Sequence, residues 1–95
     1  MRVFFGSNVL QKAYEEADRA NRRWGHQVAR KYIQRIEALY AAQDFDEIKR
    51  VQAFRTHEVE GEWSITLTRR ARLIVSPSED GKAVTVKEVS QHYGD

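Results

Sequence analysis

The chain has no cysteine, a single proline and five glycines among its 95 residues. Without cysteine there are no disulfides and no thiolate metal sites, which fits a reducing, cytoplasmic setting. His26, His57 and His92 are scattered without the spacing of a metal site, so neither a metal nor another cofactor is expected. The apolar stretch at residues 3–5 is far shorter than the core of a signal peptide, and no segment is long enough to span a bilayer. No membrane association is expected. Repeats, linkers and low-complexity segments are also lacking, and the length allows one domain, residues 1–95, around one modest core.

What is present favours a folded chain. The hydrophobic fraction is 41%, and four Phe, four Tyr and two Trp argue against disorder. Net charge is only +2, but most of the 16 basic residues are arginine, the side chain best suited to planar, bidentate contact with phosphate. Genomic base composition produces arginine as readily, so only clustering carries weight.

Residues 1–5 read as a short strand stopped by Gly6, with Ser7 or Asn8 able to cap the helix that follows. Leu10, Ala13, Ala17, Ala20 and Trp24 then form one apolar stripe, and Gly25 ends the helix. Glu15 with Arg19 and Asp18 with Arg22 are spaced to pair on its solvent face. A second helix is predicted over residues 26–43, with Val28, Tyr32, Ile36, Leu39 and Tyr40 as its stripe, broadened by Ala29 and Ile33. The short link makes the pair an antiparallel hairpin. One further helical turn is expected over residues 44–48.

From residue 51 the period changes. Trp63, Ile65 and Leu67 alternate with Glu62, Ser64 and Thr66, as in a half-buried strand. Residues 68–70 form a turn, 71–75 a strand, 77–81 a loop with an Asp-Gly signal, and 83–89 a last strand. The order β-α-α-β-β-β predicts an α+β domain: an N-terminal helical hairpin packed on a small, mainly antiparallel sheet.

One set of positions stands out in order and spacing: Arg55 and His57, Gly61, Trp63-Ser64-Ile65, Arg72-Leu73-Ile74, Pro77, and finally His92-Tyr93 after residues 88–91. This arrangement resembles the RelE/ParE superfamily of bacterial toxins, most closely its HigB-like (killer protein) branch, and the likeness is strongest over residues 54–93. Where that branch has a Lys shortly after its His, this chain has Glu60, and its terminal pair runs His-Tyr rather than Tyr-His. The resemblance implies a RelE-like fold and the toxin of a type II toxin–antitoxin system. It further implies a metal-independent messenger-RNA endonuclease (an mRNA interferase) that blocks translation by cutting messages at the ribosome. The implied partner is a cognate antitoxin, a helix-turn-helix protein through which the complex binds operator DNA. A ParE-like DNA gyrase poison and a non-catalytic binding module of the same fold are the rival readings.

Such cleavage needs a base for the 2′-hydroxyl, cations for the charge that builds on the phosphate, and an acid for the leaving oxygen. Arg72 is the foremost phosphate ligand, because alternation sets it opposite Leu73 and the family keeps Arg there. His57, His92 and Tyr93 are the proton-transfer candidates, an imidazole titrating near neutrality. His57 is equally suited to a structural hydrogen bond at a sheet edge, and Tyr93 to capping the core. Arg55, Arg69 and Arg70 are candidate RNA contacts, with a solvated turn as the alternative for the last two. Arg19, Arg22, Arg23, Arg30, Lys31 and Arg35 could steer the protein toward ribosomal RNA or simply form solvated helix faces. Trp24 reads as core.

Overall fold

The computed structural model describes residues 1–91. Strand β1 (Arg2–Phe5) leads into helices α1 (Asn8–Glu15), α2 (Ala17–Trp24), α3 (His26–Ala41) and α4 (Phe45–Lys49). A 3-10 turn (Gln52–Phe54) precedes strands β2 (His57–Val59), β3 (Glu62–Thr68), β4 (Ala71–Pro77) and β5 (Ala83–Ser90). The five strands make one sheet in the order β1-β5-β4-β3-β2, with β1 and β5 parallel and the other pairs antiparallel.

The alternation in β3 does what its sequence requires. Ile65 and Leu67 are buried on one face beside Leu73 and Val75 of β4 and Val84 and Val86 of β5. Tyr32, Ile36 and Leu39 of α3 close the other side of this core. Tyr32 is fully buried, and its hydroxyl donates to the Leu10 carbonyl at 2.6 Å, so α1 is tied to α3 by a satisfied polar contact. Burial, with Tyr40 adding to it, raises the pKa of that phenol, which stays a proton donor. Trp24 packs on Tyr32 with ring centroids 4.7 Å apart, and so joins the core as expected.

The first predicted helix is two helices. Glu16 is extended (φ −129°, ψ 101°), closing α1 through its N–H to the Lys12 carbonyl and opening α2 through its own carbonyl. The apolar stripe conceals this, because Ala13 and Ala20 are both buried seven residues apart, a spacing that an unbroken helix also satisfies, whereas Ala17 is exposed. The break also cancels the predicted Glu15–Arg19 pair. Arg19 instead meets Glu16 at 3.1 Å, and Glu15 accepts from Gln11 at 3.0 Å. Tyr40, placed on the buried stripe of α3 by its spacing, is 45% exposed and packs beside Tyr14.

Gly25 is both the end of α2 and the start of α3. Its N–H donates to Asn21, its carbonyl accepts from Ala29, and its backbone has φ 85° and ψ 161°. That region is essentially restricted to glycine, and a Cβ there would meet no atom within 4 Å. Gly25→Ala is therefore expected to cost about 1–3 kcal/mol through backbone strain alone, read as a lower midpoint in urea with an unchanged slope.

Two further elements complete the sheet side. Asp44 caps α4, accepting from the Glu47 N–H at 3.1 Å, which gives the extra helical turn expected at residues 44–48. Strand β2 is an element beyond the sequence-based expectation, being exposed at all its positions. It forms a hairpin with β3 in which Val59 faces Glu62 across a two-residue turn, Glu60-Gly61, with φ of 52° and 85°. Positive φ at both positions matches the twist of the strands it joins.

Candidate functional site

The helices cover one face of the sheet, and the other is built by the second phase of the same alternation. Pairing carries one row straight across it: His57 on β2 faces Ser64 on β3, which faces Ile74 on β4, which faces Glu88 on β5. The next row toward the β3–β4 turn is Thr66, Arg72 and Ser90. Ile74, though buried, stands outside the main core cluster, as a residue of this second face should.

His57 is exposed on the edge strand, at the position that alternation shares with Ser64. Arg72 lies two strands away and one row along. From sheet spacings the two Cα atoms are separated by roughly 12 Å, a gap that their side chains and one phosphodiester can bridge. Arg72 is half-buried, and its Nη1 donates to the carbonyls of Thr68 at 2.7 Å, Ala71 at 3.0 Å and Arg69 at 3.2 Å. It thus braces the β3–β4 turn and holds a positive charge beside it. Arg69 and Arg70 form the exposed tip of that turn. Arg55 is exposed two residues before His57, in the left-handed region at φ 46°. His92 and Tyr93 lie outside the described residues.

Arg35 takes a different role from the surface one anticipated. β2 pairs with β3 only as far as Ser64, and the Thr66 carbonyl beyond it accepts from Arg35 Nε at 3.0 Å. The same guanidinium sits 4.4 Å over the Phe54 ring, and burial lowers its pKa from the usual value. It is a structural cation closing a strand edge. Arg19, Arg22 and Arg23 instead rim, with Lys12, a concavity of about 370 Å³ between α1 and α2.

Beside the arginine row the open face is acidic, a feature not among the sequence-based expectations. A depression of about 220 Å³ is lined by Glu60, Glu62 and Glu88 together with Val59, Trp63, Ser64, Ile74 and, in the Arg72 row, Ser90. The signal was present in the sequence. Glu62 and Ser64 alternate with Trp63 and Ile65, and Val84, Val86 and Val89 change spacing from two to three, which turns Glu88 to the open face. The face therefore carries both signs of charge, cationic at the β3–β4 turn and anionic from the β2–β3 turn across to Glu88 on β5. Among the described residues no group of three or more His, Cys, Asp or Glu is placed to hold a metal ion, and no helix is long and apolar enough to cross a membrane.

No family model and no curated protein matches the chain. Solved structures do. A YoeB/ParE toxin from Agrobacterium tumefaciens superposes with a TM-score of 0.57 at 19% identity, covering 98% of this chain and 100% of that one. A chain of the YoeB–YefM complex from Staphylococcus aureus superposes with a TM-score of 0.55 at 15% identity, covering 98% of each. The α+β arrangement expected from the sequence is accordingly the fold of the YoeB/ParE toxins, over nearly the whole chain.

Proposed function

We propose that this protein is the toxin of a type II toxin–antitoxin pair, in the HigB-like branch, and that it cleaves messenger RNA at the ribosome without a metal. The observation that carries the reading is an arginine and a histidine on one open sheet face, in a fold shared along nearly its whole length with a YoeB/ParE toxin. In this reading Arg72 stabilises the charge on the scissile phosphate, with Arg55, Arg69 and Arg70 on the flanking backbone. His57, His92 and Tyr93 supply proton transfer. The protein acts in the cytoplasm. Its partner is a cognate antitoxin of the helix-turn-helix class, through which the pair binds operator DNA. The neighbour solved as a YoeB–YefM complex supports a protein partner for this fold.

Induction in bacteria should arrest growth, with new message ends mapped by primer extension in translated regions. Arrest with intact messages and DNA-damage signalling would identify a gyrase poison, and no arrest at all a non-catalytic module. Within the terminal pair, imidazole is the better proton carrier at neutral pH, since a tyrosine's ordinary pKa of about 10 keeps it protonated. His92→Ala is therefore expected to slow cleavage more than Tyr93→Phe. Cleavage by His92→Ala at the wild-type rate would remove His92 from the chemistry.

A further inference from the structure

The acidic depression is out of place on a surface that binds only phosphate. Carboxylates repel the backbone of RNA, yet Glu62 and Glu88 lie within one or two rows of Arg72. A second, independent feature lies between them. Ser64 is only 1% exposed and lines the depression, and its Oγ has no hydrogen-bond partner among the described residues. A buried hydroxyl without a partner forfeits its solvation and calls for an explanation. Strand pairing holds Ser64 between His57 on β2 and Ile74 on β4.

Each wall of the depression asks for the same kind of guest. Val59 and Ile74 offer apolar surface, which suits the face of a flat ring and repels a hydrated cation. Glu60, Glu62 and Glu88 offer acceptors only, so the guest's edge must donate. Ser64 offers one hydroxyl, able to donate or accept. An anchoring cation for a phosphate stands in the adjacent row. We infer that this depression is a nucleobase subsite that takes an amine-bearing base and rejects uracil. Guanine fits best, because its N1–H and 2-amino group present two adjacent donors to one carboxylate. Cytosine and adenine each present one amine with two hydrogens, whereas the single N3–H of uracil is flanked by two carbonyl oxygens that the carboxylates repel. The inference rests on the RNA-directed reading above and adds a source of sequence preference to it. The charge gradient then has a purpose: the phosphate lies at the arginine end and its base at the glutamate end.

The test uses the full chain and hexamers of 2′-O-methyl uridine, which cannot be cleaved because the 2′-hydroxyl is blocked. One central uridine is exchanged for guanosine, cytidine or adenosine, and binding is followed by anisotropy of a 5′ fluorophore. The guanosine hexamer is expected to bind roughly tenfold more tightly than the all-uridine one. Glu62→Gln with Glu88→Gln should bring that ratio close to one while leaving, or improving, affinity for the all-uridine hexamer. Ser64→Ala should also narrow the ratio, and a thermal melt should show it folded at least as stably. A wild-type protein without base preference, or a preference that survives in the Glu62→Gln/Glu88→Gln variant, overturns the inference. Mapped cuts in ordinary RNA separate it from the nuclease reading. Cleavage with no bias toward any base sinks the subsite alone, whereas selective binding without cleavage sinks the nuclease and keeps the subsite.

Discussion

Arg72→Ala should slow RNA cleavage about a hundred- to a thousand-fold, the usual cost of removing one preorganised electrostatic contact from a charged transition state. The guanidinium is well placed for that effect because it is already held. Three carbonyls of the β3–β4 turn fix its Nη1, so little ordering remains to be done when substrate arrives. The same contacts make the substitution a structural one as well. Losing them should cost about 1–2 kcal/mol, which for a domain of this size lowers the melting temperature by roughly 4–16 °C. Rates must therefore be compared well below the variant's own melting range. Arg72→Lys separates the two roles: it keeps the charge but cannot both hold the turn and present a planar fork. Its cleavage rate should fall between wild type and alanine. A folded Arg72→Ala protein that cuts RNA at the wild-type rate would take this residue out of the site and leave it as a turn brace.

The largest effect on stability is expected at Phe45. This residue is 2% exposed at the first position of α4, and its N–H donates to the Gly81 carbonyl at 2.8 Å. Its ring meets the Trp63 ring edge-on at 5.6 Å, with the Lys49 ammonium 4.5 Å above Trp63. Truncation removes a whole aromatic side chain from a site pinned on two sides, which limits collapse. Phe45→Ala should cost about 3–5 kcal/mol, a large share of the 5–15 kcal/mol typical of a native domain. Denaturant unfolding followed by tryptophan fluorescence in a Trp24→Phe background, where Trp63 alone emits, reads both the loss of stability and the loss of the ring contact. A change under about 1 kcal/mol would mean that α4 is an ornament on the sheet and no part of its core.

Most of the fold was legible because burial on one side leaves a period in the sequence. Trp63, Ile65 and Leu67 announced β3, Val28 to Leu39 announced α3, and the change of period near residue 51 placed the boundary between helices and sheet. What was not legible is what packing decides without changing the pattern. The interruption at Glu16 leaves Ala13 and Ala20 in phase, so no periodicity reveals it. β2 is exposed along its whole length and carries no alternation to read. The site divides in the same way. The phase of β4 put Arg72 on the face away from Leu73, and pairing with Ser64 put His57 there too. The carboxylates carry no functional signal of their own, since acidic residues on an exposed strand face are ordinary in any soluble sheet. The capture of Arg35 by a strand carbonyl depends on how far β2 extends, a property of three-dimensional pairing that residue types alone do not encode.

One irregularity in the central sheet bears on how this chain tolerates changes of length. Pairing runs from Val75–Val86 to Ile74–Glu88, so Lys87 is an extra residue, a bulge, in β5. Parity explains its value. In an unbroken strand Glu88 would share the core side with Val84 and Val86, and Val89 would face out; the spare residue reverses both. Excising Lys87 should leave Val86, Glu88 and Val89 alternating as they do now, whereas excising Thr85 would change the parity of the strand and push a carboxylate toward the hydrophobic side. Losing Lys87 thus preserves every remaining facing in β5, and its deletion should be far better tolerated than that of Thr85.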